Sequence, residues 1–422
     1  MTLLAIILQI ALEAFINDPG LSGGSLCNYH PQDTLTSAAP EDYSPFYISH
    51  IARHGSRYIT KGSSHCFHVI DTLDMFAKKG MLTEDGLALL KDLRMLHDIS
   101  KGNFGALTEL GEKEHRQICS RMARHYPEVF SDGNRRQITA YSTDSPRVIA
   151  SMEAFLSELS GREDGLEVTT YKTSKANCGK AGKEVRGRYV RSRDREKYTK
   201  KEKDFSSVAK EIRKGYNLKT FAGRIFQDPS KVRSATLGYV ARNSFVSLKT
   251  GGLTDPEVNP GPGKYFTAEE LYYLWLPQNL QWARYLNAPG YESPFTRARG
   301  RGILKQIVDD ADKALSGKSP AAATLRFSHD SYLFPIMITT LFEGTYLECS
   351  DQEIPEFFQD YRYVCTACNV QLIFYRSEKS DDILVKLLLN EKETPIRGLA
   401  PTTGVYYDWK ALKKFWKQTT NL

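Results

Sequence analysis

Three short clusters in this 422-residue chain combine the side chains that phosphate chemistry needs. Arg53-His54-Gly55-Ser56-Arg57 sets an imidazole between two guanidinium groups, Thr143-Asp144-Ser145-Pro146-Arg147 adds a third arginine, and Ser328-His329-Asp330-Ser331 adds a second imidazole and a carboxyl group. A phosphomonoester dianion must be neutralised, attacked in line with its leaving oxygen, and given a proton as that oxygen departs. Arginine donates in a fork that matches phosphate oxygens, so Arg53, Arg57 and Arg147 together can hold the three non-bridging oxygens. His54, kept neutral, can attack phosphorus and carry the phosphoryl group, while Gly55 lets the backbone pass close by. His329 can donate one more hydrogen bond, and Asp330, when protonated, can give its proton to the leaving alkoxide. The scheme uses no metal ion and no cofactor.

Each cluster also has an ordinary reading: a chance Arg-His-Gly, a hydrogen-bonded His-Asp pair, a surface arginine at a helix start. What joins them is the elements that precede them. Phe46 to Ile51 reads as a short buried strand running into Arg53, Gln137 to Ser142 as a strand before Thr143, and Thr324 to Phe327 as a strand before Ser328. Parallel strands of one open α/β sheet bring their C-terminal ends together, and such sheets carry their chemistry there. Each cluster leads into a helical pattern. The apolar spacing of Leu110, Ile118 and Met122 predicts a helix over Thr108 to Phe130, Thr143 to Pro146 is a start signal for a helix over Arg147 to Leu159, and Leu333 to Leu341 is a further apolar helix. Val370 to Tyr375 and Ile383 to Leu389, around the turn Ser377 to Asp382, predict a terminal hairpin. From Lys172 to Pro320 the chain is basic and rich in Tyr, with a turn at Asn259 to Gly263 and helical stretches near Ala268 to Trp275 and Ile303 to Leu315, which reads as a mainly helical insertion.

Hydrophobic residues at 41% and charged residues at 25% fit a folded protein with a full core and exclude collagen-like and disordered classes. The net charge of +7 is concentrated: Lys172 to Tyr216 holds 16 Lys and Arg against six acids, which leaves 41 basic and 44 acidic residues elsewhere. One segment thus carries a net +10, which suits either an anionic partner or a solvated loop. Leu3 to Phe15 is an apolar run too short to span a bilayer and followed by Ser22-Gly23-Gly24-Ser25; residues 1–26 are expected to be a signal segment and the protein to be secreted or periplasmic. No later stretch is long and apolar enough for a membrane helix. Seven cysteines leave at least one unpaired, and Cys365-Thr366-Ala367-Cys368 lacks the second pair or His that a zinc set needs, so unligated thiols or one local bridge are expected.

At these residues the chain resembles the histidine acid phosphatases of the histidine phosphatase superfamily. The pattern R-H-G-x-R is met at Arg53 to Arg57, L-T-x-x-G-x-x-x-H at Leu107 to His115, the distal arginine at Arg147, and the His-Asp pair at His329-Asp330, over roughly Tyr47 to Leu159 and Leu325 to Leu389. The stretches Arg53 to Tyr58, Glu114-His115-Arg116 and Tyr126 to Phe130 look most like bacterial multiple inositol polyphosphate phosphatases, which remove phosphates from phytate. Two positions depart from that subfamily: Ile59 stands where proline is usual, and His329-Asp330-Ser331 where His-Ala-Glu is usual, so by this match the donor is Asp330. The resemblance implies a three-layer α/β/α core with a mostly parallel central sheet and an inserted helical cap. Residues 27–165 and 321–422 would form the core, and residues 166–320 the basic cap.

The resemblance further implies a phosphohistidine on His54, an inositol polyphosphate as anionic substrate, and use of the basic cap residues Lys180, Lys183, Arg186, Arg188 and Arg191 to hold phosphates not being cleaved. The protein is expected to act as a monomer, without nucleic acid or membrane insertion. The alternatives are a broad acid or sugar phosphatase with the same residues, and an inactive phosphate- or nucleic-acid-binding protein that uses the basic segment as its contact surface.

Overall fold

The computed structural model describes residues 12–30, 36–131, 137–162, 165–173, 217–251, 261–283, 294–347, 349 and 353–420. Its strands are β1 (Tyr43–Arg53), β2 (Gln137–Thr143), β3 (Glu167–Thr173), β4 (Ala321–Ser328), β5 (Asn369–Ser377), β6 (Leu384–Leu389), β7 (Lys392–Glu393) and β8 (Tyr406–Asp408). They form one sheet in the order β3-β2-β4-β1-β5-β6-β7, with β8 beside β6. The strands β3, β2, β4 and β1 are parallel, and β5 and β6 return antiparallel as the expected hairpin. The helices are α1 (Val69–Lys78), α2 (Glu84–Ser100), α3 (Glu109–His125), α4 (Pro127–Ser131), α5 (Pro146–Ser160), α6 (Lys219–Ile225), α7 (Ser234–Gly251), α8 (Ala268–Ala283), α9 (Pro294–Leu315), α10 (Asp330–Thr339), α11 (Ile354–Phe357), α12 (Asp360–Tyr363) and α13 (Trp409–Thr420).

β1 lies between β4 and β5, and every residue from Pro45 to Arg53 is buried. A strand covered on both faces must be apolar on both, as Phe46-Tyr47-Ile48 and Ile51-Ala52 are. Its alternation sorts the layers. Tyr47 donates to Thr324 Oγ1 at 2.9 Å and packs on Phe374, which meets Trp409 of α13. His50, of opposite parity, faces Phe155 of α5 and Phe327 of β4. Helices α3, α4 and α5 therefore cover one face and α9, α10 and α13 the other, which makes the α/β/α sandwich. In register, Arg53 stands beside Ser328 and Ser142 beside Phe327. The three clusters thus emerge at one edge of the sheet, where the antiparallel β5 begins.

Four boundaries differ from the sequence reading. The helix expected over Thr108 to Phe130 is broken at Tyr126, because Pro127 lacks an N–H and drives the preceding residue out of the helical region, here to φ −135° and ψ 53°. β3 falls inside the stretch allotted to the insertion, yet pairs with β2 as the edge of the core sheet. α9, also in that stretch, packs on β1, β4, α10 and α13, so of the helices described there only α6, α7 and α8 stand apart from the core sheet. Finally, the signal-segment boundary at residue 26 lies inside the folded body. Phe15 is buried edge-on against Trp275 of α8 and Tyr361 of α12, and Ser22 to Ser25 are buried in a short 3-10 helix, Pro19–Leu26. Residues 1–11, most of the basic run, Cys178, Asn259 and Pro260, and the five candidate cap contacts Lys180, Lys183, Arg186, Arg188 and Arg191 lie outside the described residues. Among the described residues no helix is long and apolar enough to cross a membrane.

Candidate active site

The Arg53 to Arg57 loop is pinned by its backbone on both sides. His54 N–H donates to the Ser328 carbonyl of β4 at 2.9 Å, Ala367 N–H donates to the His54 carbonyl at 3.0 Å, and Arg53 N–H donates to Cys368 O at 2.9 Å. Below, two glycines meet. A Cβ on Gly55 would lie 2.4 Å from Gly111 O, and a Cβ on Gly111 would lie 2.2 Å from Ser56 O, so each is a glycine because the other backbone occupies the side-chain space. Thr108 completes the contact: its N–H and hydroxyl both donate to Ser56 O, and its Oγ1 accepts from Gly111 N–H as the cap of α3. The L-T-x-x-G spacing, read from the sequence as a helix entry, is the seat on which the Arg-His-Gly loop rests.

On that seat the structure brings all six expected residues together. The His54 ring is almost wholly buried, and its Nδ1 lies 2.8 Å from Gly55 O. A carbonyl only accepts, so Nδ1 carries the proton and Nε2 keeps its lone pair. Burial first, then the charges of Arg53 and Arg147, hold this imidazole well below its usual pKa, against a weaker opposing pull from the Gly55 carbonyl. The His329 ring stands edge-on to His54 with centroids 5.5 Å apart. Its Nε2 is 3.3 Å from Thr143 Oγ1 and its Nδ1 3.5 Å from Arg147 Nη2, and burial with Arg147 pushes its pKa down to about 4.

The three guanidinium groups converge around these rings. Arg53 is held from behind: Nη1 donates to the carbonyls of Ser25, Val364 (2.6 Å) and Cys365 (3.2 Å), and Nη2 meets Asp330 Oδ2 at 2.9 Å. Arg57 is tied by Nη1 to Tyr58 O at 3.0 Å, and burial pushes its pKa down to about 10. Burial first and the neighbouring Arg53 also lower the pKa of Arg147. In all three the Nε–H is buried and lacks a hydrogen-bond partner among the described residues. A buried unpaired donor on a charged group costs on the order of 2 kcal/mol, so three around one imidazole make a pocket suited to a tetrahedral oxyanion. Asp330 opens α10, accepts from Ser331 N–H at 2.6 Å, and turns Oδ2 to Arg53 Nη2. Among the described residues no group of three or more His, Cys, Asp and Glu is arranged to hold a metal ion.

Several supporting residues were not found from the sequence. Ser151 of α5 accepts from Gly55 N–H at 3.1 Å and donates to Arg147 O at 2.9 Å, which joins the first cluster to the second. Cys365 and Cys368, expected to be unligated thiols or one local bridge, are buried free thiols, and their backbone carbonyls position Arg53. The Ser25 carbonyl, from the stretch read as a signal segment, does the same. These contacts are made by peptide groups, so residue type gives no signal for them.

Residues 48–390 match the model of the histidine phosphatase superfamily, branch 2, and the chain belongs to that family of phosphatases. No curated protein matches it. The fold is similar to that of the multiple inositol polyphosphate phosphatase of Bifidobacterium longum in complex with inositol hexasulfate, at a TM-score of 0.70 and 16% identity over 94% of this chain and 97% of that one. It is also similar to the phytase from D. castellii, at 0.71 and 15% over 95% and 85%, and to the Klebsiella sp ASR1 phytase, at 0.57 and 14% over 92% and 96%.

Proposed function

We propose that this branch 2 histidine phosphatase hydrolyses inositol polyphosphates through a phosphohistidine on His54, and simpler phosphomonoesters more slowly. The observation that carries the chemistry is the Nδ1 to Gly55 O hydrogen bond at 2.8 Å, which leaves His54 Nε2 free inside the arginine ring. Arg53, Arg57 and Arg147 bind the three non-bridging oxygens, with His329 as a further donor, and Nε2 attacks phosphorus in line with the ester oxygen. The dianion competes with Asp330 for Arg53 Nη2, and the carboxyl group, with a phosphate oxygen now beside it, takes up the proton that it gives to the leaving alkoxide. Asp330 then draws a proton from water, whose oxygen attacks the phosphohistidine; the P–N bond breaks and inorganic phosphate leaves.

The substrate class rests on different support. The B. longum enzyme named above is an inositol polyphosphate phosphatase with an inositol hexasulfate complex, and two other similar folds are phytases. In this reading the helices α6, α7 and α8 belong to a cap, and the net +10 of Lys172 to Tyr216 draws a polyanion toward the pocket.

The test is to assay wild type and Asp330→Asn on phytate and on an activated aryl phosphate, with product analysis of the phytate digest. Wild type is expected to show kcat/KM at least about tenfold higher on phytate, and the variant to lose about 10²–10⁴ on phytate but far less on the aryl ester, whose leaving group needs no proton. A preference for simple esters would make the chain a broad-specificity acid or sugar phosphatase. Equal losses on both substrates would remove Asp330 as donor.

A further inference from the structure

One buried carboxylate beneath the site takes no part in the chemistry above. Glu114 of α3 is 3% exposed and lies outside the arginine ring. Four donors converge on it. Ser56 N–H reaches Oε2 at 2.7 Å, while Ser56 Oγ at 2.8 Å, Thr366 Oγ1 at 2.9 Å and Tyr29 N–H at 3.0 Å reach Oε1. They come from three segments distant in sequence. Ser56 sits between His54-Gly55 and Arg57. Thr366 sits between Cys365, whose carbonyl accepts from Arg53, and Ala367, whose N–H donates to the His54 carbonyl. Tyr29 lies two residues after Cys27, whose carbonyl accepts from Thr366 N–H at 3.1 Å.

Burial raises the Glu114 pKa, and the Tyr29, Ser56 and Thr366 donors oppose that rise by filling the carboxylate's lone pairs. We propose that ionised Glu114 is a positioning residue for phosphoryl transfer, clamping Ser56 and Thr366 so that the His54 imidazole and the Arg53 guanidinium keep their in-line geometry. The clamp needs an acceptor on both oxygens. An amide turned either way sets its NH₂ against a backbone N–H, that of Ser56 in one orientation and that of Tyr29 in the other. This inference rests on the phosphohistidine reading, and the experiment separates the two.

Full-length wild type, Glu114→Gln and Thr366→Val are compared by rapid quench with an activated aryl phosphate, together with steady-state kcat, the inhibition constant of inorganic phosphate, and thermal midpoints. Glu114→Gln is expected to form phosphoenzyme about 10–100-fold more slowly per folded site, while phosphate, still held by the Arg57 and Arg147 side chains, binds within about threefold of wild type. Thr366→Val, which removes one donor without burying a mismatched amide, is expected to slow the same step about three- to tenfold. A Glu114→Gln rate per folded site equal to wild type overturns the assignment. If that variant does not fold, Thr366→Val decides, and turnover within about twofold of wild type overturns it. If wild type forms phosphoenzyme and neither variant slows it, only the positioning role fails; if wild type forms none, the phosphohistidine reading fails and this inference with it.

Discussion

Two pairs of histidines lie along the same strand-and-helix frame; His54, His50 and His115 are buried and His329 is half-buried, so it is surroundings that set His54 apart from His50 and His115. His54 and His329 stand at the sheet edge, edge-on to each other, within a ring of three arginines. His50, four residues earlier on β1, and His115 of α3 are fully buried against Phe327, with Phe155 also against His50, and burial pushes both down to about 3. Among the described residues neither His50 ring nitrogen has a hydrogen-bond partner, and at His115 the Arg53 backbone only weakly opposes the effect of burial. Burial and a lowered pKa therefore do not mark an active site. The marks are a defined tautomer, fixed for His54 by the Gly55 carbonyl, and three arginine charges that act on one imidazole.

The contrast is sharpened by removing what only the first pair has. Arg147→Ala deletes one phosphate donor and one positive neighbour of His54 and His329. It is expected to lower kcat/KM about 10²–10³-fold. The imidazoles are held low partly by that charge, so losing it raises their pKa values, and the acid limb of the kcat profile is expected to move to higher pH. A parallel loss at every pH would show that the arginine does not tune the histidines.

A smaller effect comes from the second pair. Burial holds the His50 pKa down to about 3 in the fold, against its ordinary 6.5. As pH falls from 6.5 toward about 3, the unfolded chain takes up a proton that the folded chain refuses, and stability is lost; above 6.5 the group contributes no pH dependence. His50→Leu is expected to leave turnover at neutral pH within about twofold and to flatten the acid loss of stability by about 1.4 kcal/mol per pH unit. Urea midpoints at pH 7 and pH 4 check this. An unchanged slope would mean that His50 is protonated within the fold.

The comparison also shows how far the sequence was readable. The strands before the three clusters, the hairpin and the helix starts at Thr108 and Pro146 follow from periodicity and capping, and each falls where those patterns place it. The six candidate side chains were legible because their chemistry depends on residue type. Nothing local distinguished His115 from His54, since a helix position four residues after Gly111 reads alike whether it lines a pocket or a core. The supports of Arg53 were hidden for another reason: Ser25, Val364, Cys365 and Cys368 act through peptide groups supplied by segments distant in sequence. Glu114 was visible only as part of a motif, because its four donors come together only in the folded chain.

The central claim is that His54 Nε2 carries the phosphoryl group. The direct measurement is to mix enzyme with a labelled aryl phosphate, quench in base, where phosphohistidine survives and acyl phosphate does not, and locate the label by peptide mass analysis in wild type and His54→Ala. The account expects close to one labelled site per wild-type chain, on His54, and in His54→Ala no label and a loss of turnover of about 10⁴-fold or more with phosphate binding retained. Label on another residue, or His54→Ala turning over at near the wild-type rate, would contradict it.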